Sequence, residues 1–240
     1  MTDSPAHVAS LHAAADAVTK ADLPYALKAI PPLLPESVIV DFPGPPRGQA
    51  DDDPLVDLAD AGLILLHSYA DAGWEYSIEG HFLRSGLLSR LSLAHEALPG
   101  GFGIAIFDAW RPLALQQELF DAFGDFSVGN GMSAVAAPSS DPFTPPPHLT
   151  GGAVDLTLTW RGAPLALGTS FDDFTNKART NAFEHEPGPV RSLRRLLYWS
   201  LHAQGLVVLA EEWWHFEYGT RLWSRVVDRP ALYTSAVLAV

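Results

Sequence analysis

The chain has 240 residues, 48% of them hydrophobic and 18% charged, which describes a globular protein with its own core and fits one large domain. A net charge of −13 argues against a nucleic-acid partner, because a phosphate backbone requires a basic face. The absence of cysteine excludes disulfides and thiolate metal sites, so any metal must be held by His, Asp or Glu.

In chain order, the opening MTDSPAHVASLHAAADAVTK lacks a cationic segment followed by an apolar run, so no secretory signal is expected. No stretch approaches the roughly 20 apolar residues of a membrane helix, and a cytoplasmic location is the default expectation. Residues 1–60 read as an N-terminal extension, with DFPGPPRGQADDDP (41–54) an exposed loop whose acids Asp51 to Asp53 are solvated. Residues 61–240 read as one continuous domain.

HFLRSGLLSRLSLAHEAL (81–98) places Leu83, Leu87, Leu91 and Ala94 at helical spacing before the stop Pro99-Gly100-Gly101. GFGIAIFDAWRP (101–112) reads as a strand ending at Arg111-Pro112, and LALQQELFDAFG (113–124) as a helix closed near Gly124. A Pro/Ser-rich loop covers 125–147. AVDLTLTW (153–160) alternates as a half-buried strand, with Val154, Leu156 and Leu158 on one face. After a second long loop, VRSLRRLLYWSLHAQG (190–205) is an amphipathic helix, and LVVLAEEWWHFEYG follows as a single strand. The fold class is α+β, a small antiparallel sheet flanked by helices, with no internal repeat.

Three residues form a candidate ligand set. His148 and Asp155 lie seven apart in HLTGGAVD, where Gly151 and Gly152 allow a tight turn between loop and strand. His215 arrives from the distant strand. Two imidazoles and a carboxylate suit Zn²⁺ with a fourth position left for water. Glu212, three residues before His215, is the candidate general base. The two reach one face only if the strand bulges or ends between them. Arg111 is a candidate for stabilising a developing oxyanion.

Each residue also has a plainer reading. One of nine histidines is more often packing than a ligand, Trp213 and Trp214 suit a core, and Asp108 and Glu211 suit local hydrogen bonds. On spacing alone, packing and metal binding weigh about equally.

The motifs taken together resemble a known family. HLTGGAVD fits the H-x-x-G-x-A-x-D pattern of the LAS-type zinc peptidases, and EWWHF resembles the narrower VanX-type D-alanyl-D-alanine dipeptidases. DAWRP is similar to their D-[GA]-[YW]-R-P segment, GTSFDDF to their G-S-x-F-D segment, and SYADAG (68–73) more faintly to R-Y-A-T. The resemblance covers residues 68–218 and implies a LAS-type fold with one zinc per chain, held by His148, Asp155 and His215. It further implies Glu212 as base, Arg111 at the tetrahedral intermediate and Asp172 at the free amino end of a small dipeptide. Where the family carries Ser-x-His at the first ligand, this chain has Pro146.

The expectation is a zinc-dependent D,D-dipeptidase with no nucleic-acid or membrane partner; nothing in the sequence sets an oligomeric state. A D,D-carboxypeptidase acting on wall peptides would need a cleft open at the amino end. A catalytically silent zinc-binding interaction domain would need neither Glu212 nor Arg111.

Overall fold

A computed structural model describes residues 28–39, 42–51, 53–128 and 131–238; the reading of residues 1–20 as free of a secretory signal lies outside them. Among the described residues, ten strands and five α-helices form a mixed α+β fold. The strands are β1 (Leu55–Asp57), β2 (Ile64–Leu65), β3 (Phe82–Arg84), β4 (Phe102–Asp108), β5 (Ser127–Val128), β6 (Met132–Ser133), β7 (Ala153–Trp160), β8 (Ala163–Pro164), β9 (Val207–Val208) and β10 (His215–Glu217). The helices are α1 (Ser68–Ala72), α2 (Ser85–Glu96), α3 (Leu113–Phe123), α4 (Pro189–His202) and α5 (Arg221–Val227).

The main sheet has six strands in the order β2-β4-β7-β10-β9, with β8 paired to the end of β7. All its pairings are antiparallel except β2 with β4. One face carries Ile104, Ile106, Val154, Leu156, Leu158 and Phe216, and these share a core with Leu87 and Leu91 of α2 and Leu193, Leu196 and Leu197 of α4. Cross-strand partners such as Ile104 with Leu158 and Ile106 with Leu156 fall on that same face. Burying each of these leucines stabilises the fold by roughly 2 kcal/mol.

Four sequence expectations need correction. The helix read from 81 begins at Ser85, because Phe82–Arg84 pairs with β1 as a strand. Apolar residues at 82 and 83 suit either element, and the partner strand decides it. Strand β7 is buried on both faces rather than one, since Asp155, Thr157 and Thr159 are also enclosed. The long C-terminal strand is instead the two short strands β9 and β10, folded back on each other with Phe216 opposite Val208. Asp53, expected in solvent with its neighbours, accepts hydrogen bonds from the Gly86 amide at 3.1 Å and the Tyr233 hydroxyl at 2.8 Å.

No helix among the described residues is long and apolar enough to cross a membrane.

Candidate metal centre and active site

The sheet's second face builds the site. In the β4–β7 ladder Ile106 pairs with Leu156, but the next pairing is Asp108 with Asp155, so β4 carries one extra residue there. This bulge turns Asp108 onto the face of Asp155 and away from the core. On the other side His215 pairs directly with Asp155. Three strands therefore present Asp108, Asp155 and His215 in one row.

His148 reaches that row from a 3-10 turn, Pro147–Thr150. Pro146 and Pro147 fix the approach, and Gly151 at φ 71° reverses the chain into β7. The Thr150 hydroxyl donates to the Pro147 carbonyl and accepts from the Gly152 amide, closing the turn. Trp110 ties the turn to the neighbouring loop by donating its indole N–H to the Leu149 carbonyl at 3.2 Å.

Imidazole nitrogens and carboxylate oxygens of His148, Asp155 and His215 lie within 4.8 Å of one another. His148 Nδ1 is 2.7 Å from the Ala109 carbonyl oxygen, which can only accept, so Nδ1 carries the proton and Nε2 faces the cluster. His215 Nε2 donates to Glu217 Oε1 at 2.8 Å, leaving Nδ1 to face His148 Nε2 at 3.2 Å and Asp155 Oδ1 at 3.0 Å. Glu217 is in turn held by the Thr220 hydroxyl. Each imidazole thus has an acceptor behind it, as metal-bound histidines do. Two nitrogens turned toward each other beside a carboxylate fit a shared cation. No thiolate is present, and two nitrogens with one oxygen form a donor set suited to zinc.

Electrostatics point the same way. Burial works to raise the Asp155 pKa, but His148 and His215 overcome it and hold the carboxyl well below the usual carboxylate range. Burial works to lower the His215 pKa, yet Asp155 and Glu217 push it well above that of an ordinary imidazole. A site that holds positive charge this firmly also suits a divalent cation.

Glu212 lies in the tight connection between β9 and β10, where the His215 amide donates to the Glu212 carbonyl at 3.3 Å. The regular strand ends between the two residues, so both side chains reach the same side, with Glu212 Oε2 4.0 Å from His215 Nδ1. Burial raises the Glu212 pKa well above the ordinary carboxyl value, and nearby Asp155, Glu36 and Asp172 add to the rise against His215. Trp213 and Trp214 point away into the core, Trp213 donating to the Thr169 hydroxyl at 2.8 Å.

Arg111 follows the bulge. Its Nε and Nη2 reach Asp108 at 2.9 and 2.8 Å, Nη1 donates to Gln116 at 3.0 Å, and Nη2 also faces Tyr69 at 3.2 Å and Asp155 at 3.7 Å. Asp172, from the loop after β8, accepts from the Tyr69 hydroxyl at 3.1 Å. Burial and Asp155 raise its pKa to about 7, although Arg111 and Tyr69 work against the rise.

All six candidate residues line one cavity of about 60 Å³. Residue-level reasoning missed four others that line it: Tyr69, Gln116, Glu217 and Glu36. Glu217 had a readable signal, sitting two residues beyond His215 and hence on the same face of its strand. Tyr69 fell within the faint SYADAG echo without acquiring a role. Glu36 belongs to a stretch with no motif.

The profile of a peptidase family described as D-ala-D-ala dipeptidase matches residues 89–233. A D-alanyl-D-alanine dipeptidase of Synechocystis sp. is 31% identical over 192 residues, an alignment covering 66% of this chain and 78% of that protein.

Proposed function

The chain belongs to the D-ala-D-ala dipeptidase family of metal-dependent peptidases, and from that premise we propose that it hydrolyses D-alanyl-D-alanine, or a closely related D,D-dipeptide, with one zinc ion. The observation that supports this reading is the convergence in one cavity of His148, Asp155 and His215, whose donor atoms could hold a metal, with the carboxylates of Glu212 and Asp172.

His148 Nε2, Asp155 and His215 Nδ1 would hold the ion. A zinc ion held there would supply polarisation of the peptide carbonyl and a lowered pKa, toward about 7, for a water. Glu212 takes the proton of the attacking water and returns it to the leaving amine nitrogen. Arg111, pinned by Asp108 and Gln116, holds one guanidinium edge toward the cavity and stabilises charge developing on the carbonyl oxygen. Asp172 and the Tyr69 hydroxyl bind the substrate's ammonium group. Because that acid closes the amino end, a free N-terminus is required, which favours dipeptides over wall peptides.

The direct test is release of D-alanine from D-alanyl-D-alanine, with and without a chelator, beside Glu212→Ala. Release that is abolished by chelation, restored by zinc and lost in Glu212→Ala is the expected result. A zinc-loaded protein that leaves D,D-dipeptides intact would overturn the proposal.

A further inference from the structure

The chain ahead of the matched region delivers one more carboxylate to the site. Residues 28–39 lie against the peptidase body at several points. The Lys28 carbonyl accepts from the Trp199 indole at 3.2 Å, and Ile30 is buried in the main core. Ile39 packs with Val207, Leu209, Leu222 and Trp223. The Arg221 guanidinium donates to the carbonyls of Phe42 and Ile39, at 2.5 and 3.5 Å. Between these anchors a 3-10 turn, Glu36–Val38, brings Glu36 to the wall of the catalytic cavity.

Glu36 also lines an adjoining cavity of about 590 Å³, walled by Pro145, Pro146, Phe120, Val135 and Leu222. Of these two spaces, Tyr69, Arg111 and Asp172 line the smaller one alone. Glu36 therefore stands where the two spaces meet, at the end not occupied by the amine-binding acid. Its carboxylate has no hydrogen-bond or ion-pair partner among the described residues, and it is not part of the ligand cluster, which comprises His148, Asp155 and His215. Glu36 is half-buried, and a carboxylate on the wall of both spaces is placed to meet a cationic group held there.

We infer that Glu36 selects the second residue of the dipeptide, favouring a side chain that ends in an ammonium or guanidinium over a neutral or acidic one. The inference rests on the dipeptidase reading. With the amino end held at Asp172, the second residue extends toward the larger cavity. An alkyl stem lies along the apolar wall of Pro145, Pro146 and Leu222, and its charged head meets Glu36.

The test uses the zinc-loaded full chain with D-Ala-D-Lys, D-Ala-D-norleucine, D-Ala-D-Glu and D-Ala-D-Ala. Lysine and norleucine have stems of equal length, so cavity size cancels from their ratio. The expected kcat/KM preference for lysine over norleucine is about tenfold or more, the scale of one charge-assisted hydrogen bond. Glu36→Gln should bring that ratio to within about twofold, and Glu36→Lys should reverse the order of D-Ala-D-Lys and D-Ala-D-Glu. A ratio near one in the unaltered protein, or one that Glu36→Gln leaves intact, overturns the inference. Calorimetric affinities of the same peptides for zinc-loaded Glu212→Gln protein separate the two proposals. Lysine-selective binding through Glu36 without turnover would sink the dipeptidase reading alone. Turnover or binding without charge selection would sink Glu36 alone, and peptides that neither bind nor react would sink both.

Discussion

Asp172 occupies a left-handed backbone conformation, φ 56°, with its carboxylate enclosed near Tyr69, Arg111 and Asp155. Burial and Asp155 lift its pKa from 3.8 to about 7. An unfolded chain would release this proton near pH 4, whereas the folded one holds it to about pH 7. Ionisation therefore favours unfolding across that window, and stability falls from pH 4 to pH 7 before levelling. Asp172→Asn removes the titration, and asparagine tolerates the left-handed backbone. We expect it to raise metal-free stability by about 1–3 kcal/mol at pH 8 and by much less at pH 5, while kcat/KM for a dipeptide falls by about 100-fold or more. Urea unfolding of both proteins at the two pH values checks this; a gain no larger at pH 8 than at pH 5 refutes it. Glu217 acts differently, as the acceptor behind His215. Glu217→Gln weakens that support, and zinc affinity, measured by competition with a chromogenic chelator, should fall about 10–100-fold. An unchanged affinity would show that Glu217 serves packing alone.

At the scale of elements, the site depends on a glycine that lets two segments touch. A Cβ on Gly152 would lie 2.6 Å from the Tyr218 carbonyl oxygen and 2.8 Å from a Tyr233 ring carbon. The Tyr218 amide also donates to the Gly152 carbonyl at 2.8 Å, so this backbone cannot retreat without loosening the link between the His148 turn and the end of β10. Gly152→Ala should cost about 2–4 kcal/mol of unfolding free energy and weaken zinc binding with it. A thermal melt within a degree of the parent would refute the close contact. How much of this was legible beforehand follows from the same local physics. Strands β4 and β7 and helix α3 were readable because Pro and Gly punctuate their ends and their periodicity is clean. The β9–β10 turn was not, since no Gly or Pro interrupts residues 206–218. The fragment Phe82–Arg84 was ambiguous because only its pairing with β1 makes it a strand. Residue chemistry and motif order singled out His148, Asp155, His215, Glu212 and Arg111, whereas Asp172 rested on resemblance. The bulge that aligns Asp108 left no mark in the sequence, and Glu36 enters through a contact far along the chain.

Across the whole molecule, the candidate ligands come from three separate elements, two of which are already joined by the β7–β10 ladder. His148 comes from a loop-borne turn, Asp155 from the centre of the sheet, and His215 from a three-residue strand next to its edge. The cavity also gathers Asp172, Glu212, Glu217 and Glu36 in a chain of net charge −13, so like charges oppose closure unless protons or a cation compensate. A cation bound by all three elements stabilises the native state by mass action, about 2.7 kcal/mol at a hundredfold excess over its Kd. For a domain of this size that corresponds to a rise in Tm of about 5–10 °C. Calorimetric scans of the chelated and zinc-loaded protein should show that rise, and Glu212→Ala should retain it because Glu212 lies outside the ligand cluster. Asp155→Asn should lose most of it, since an amide is a weaker ligand than a carboxylate. An equal rise in Asp155→Asn would place the stabilising ion elsewhere. Loss of the rise in Glu212→Ala would make that glutamate a ligand and remove it as the base.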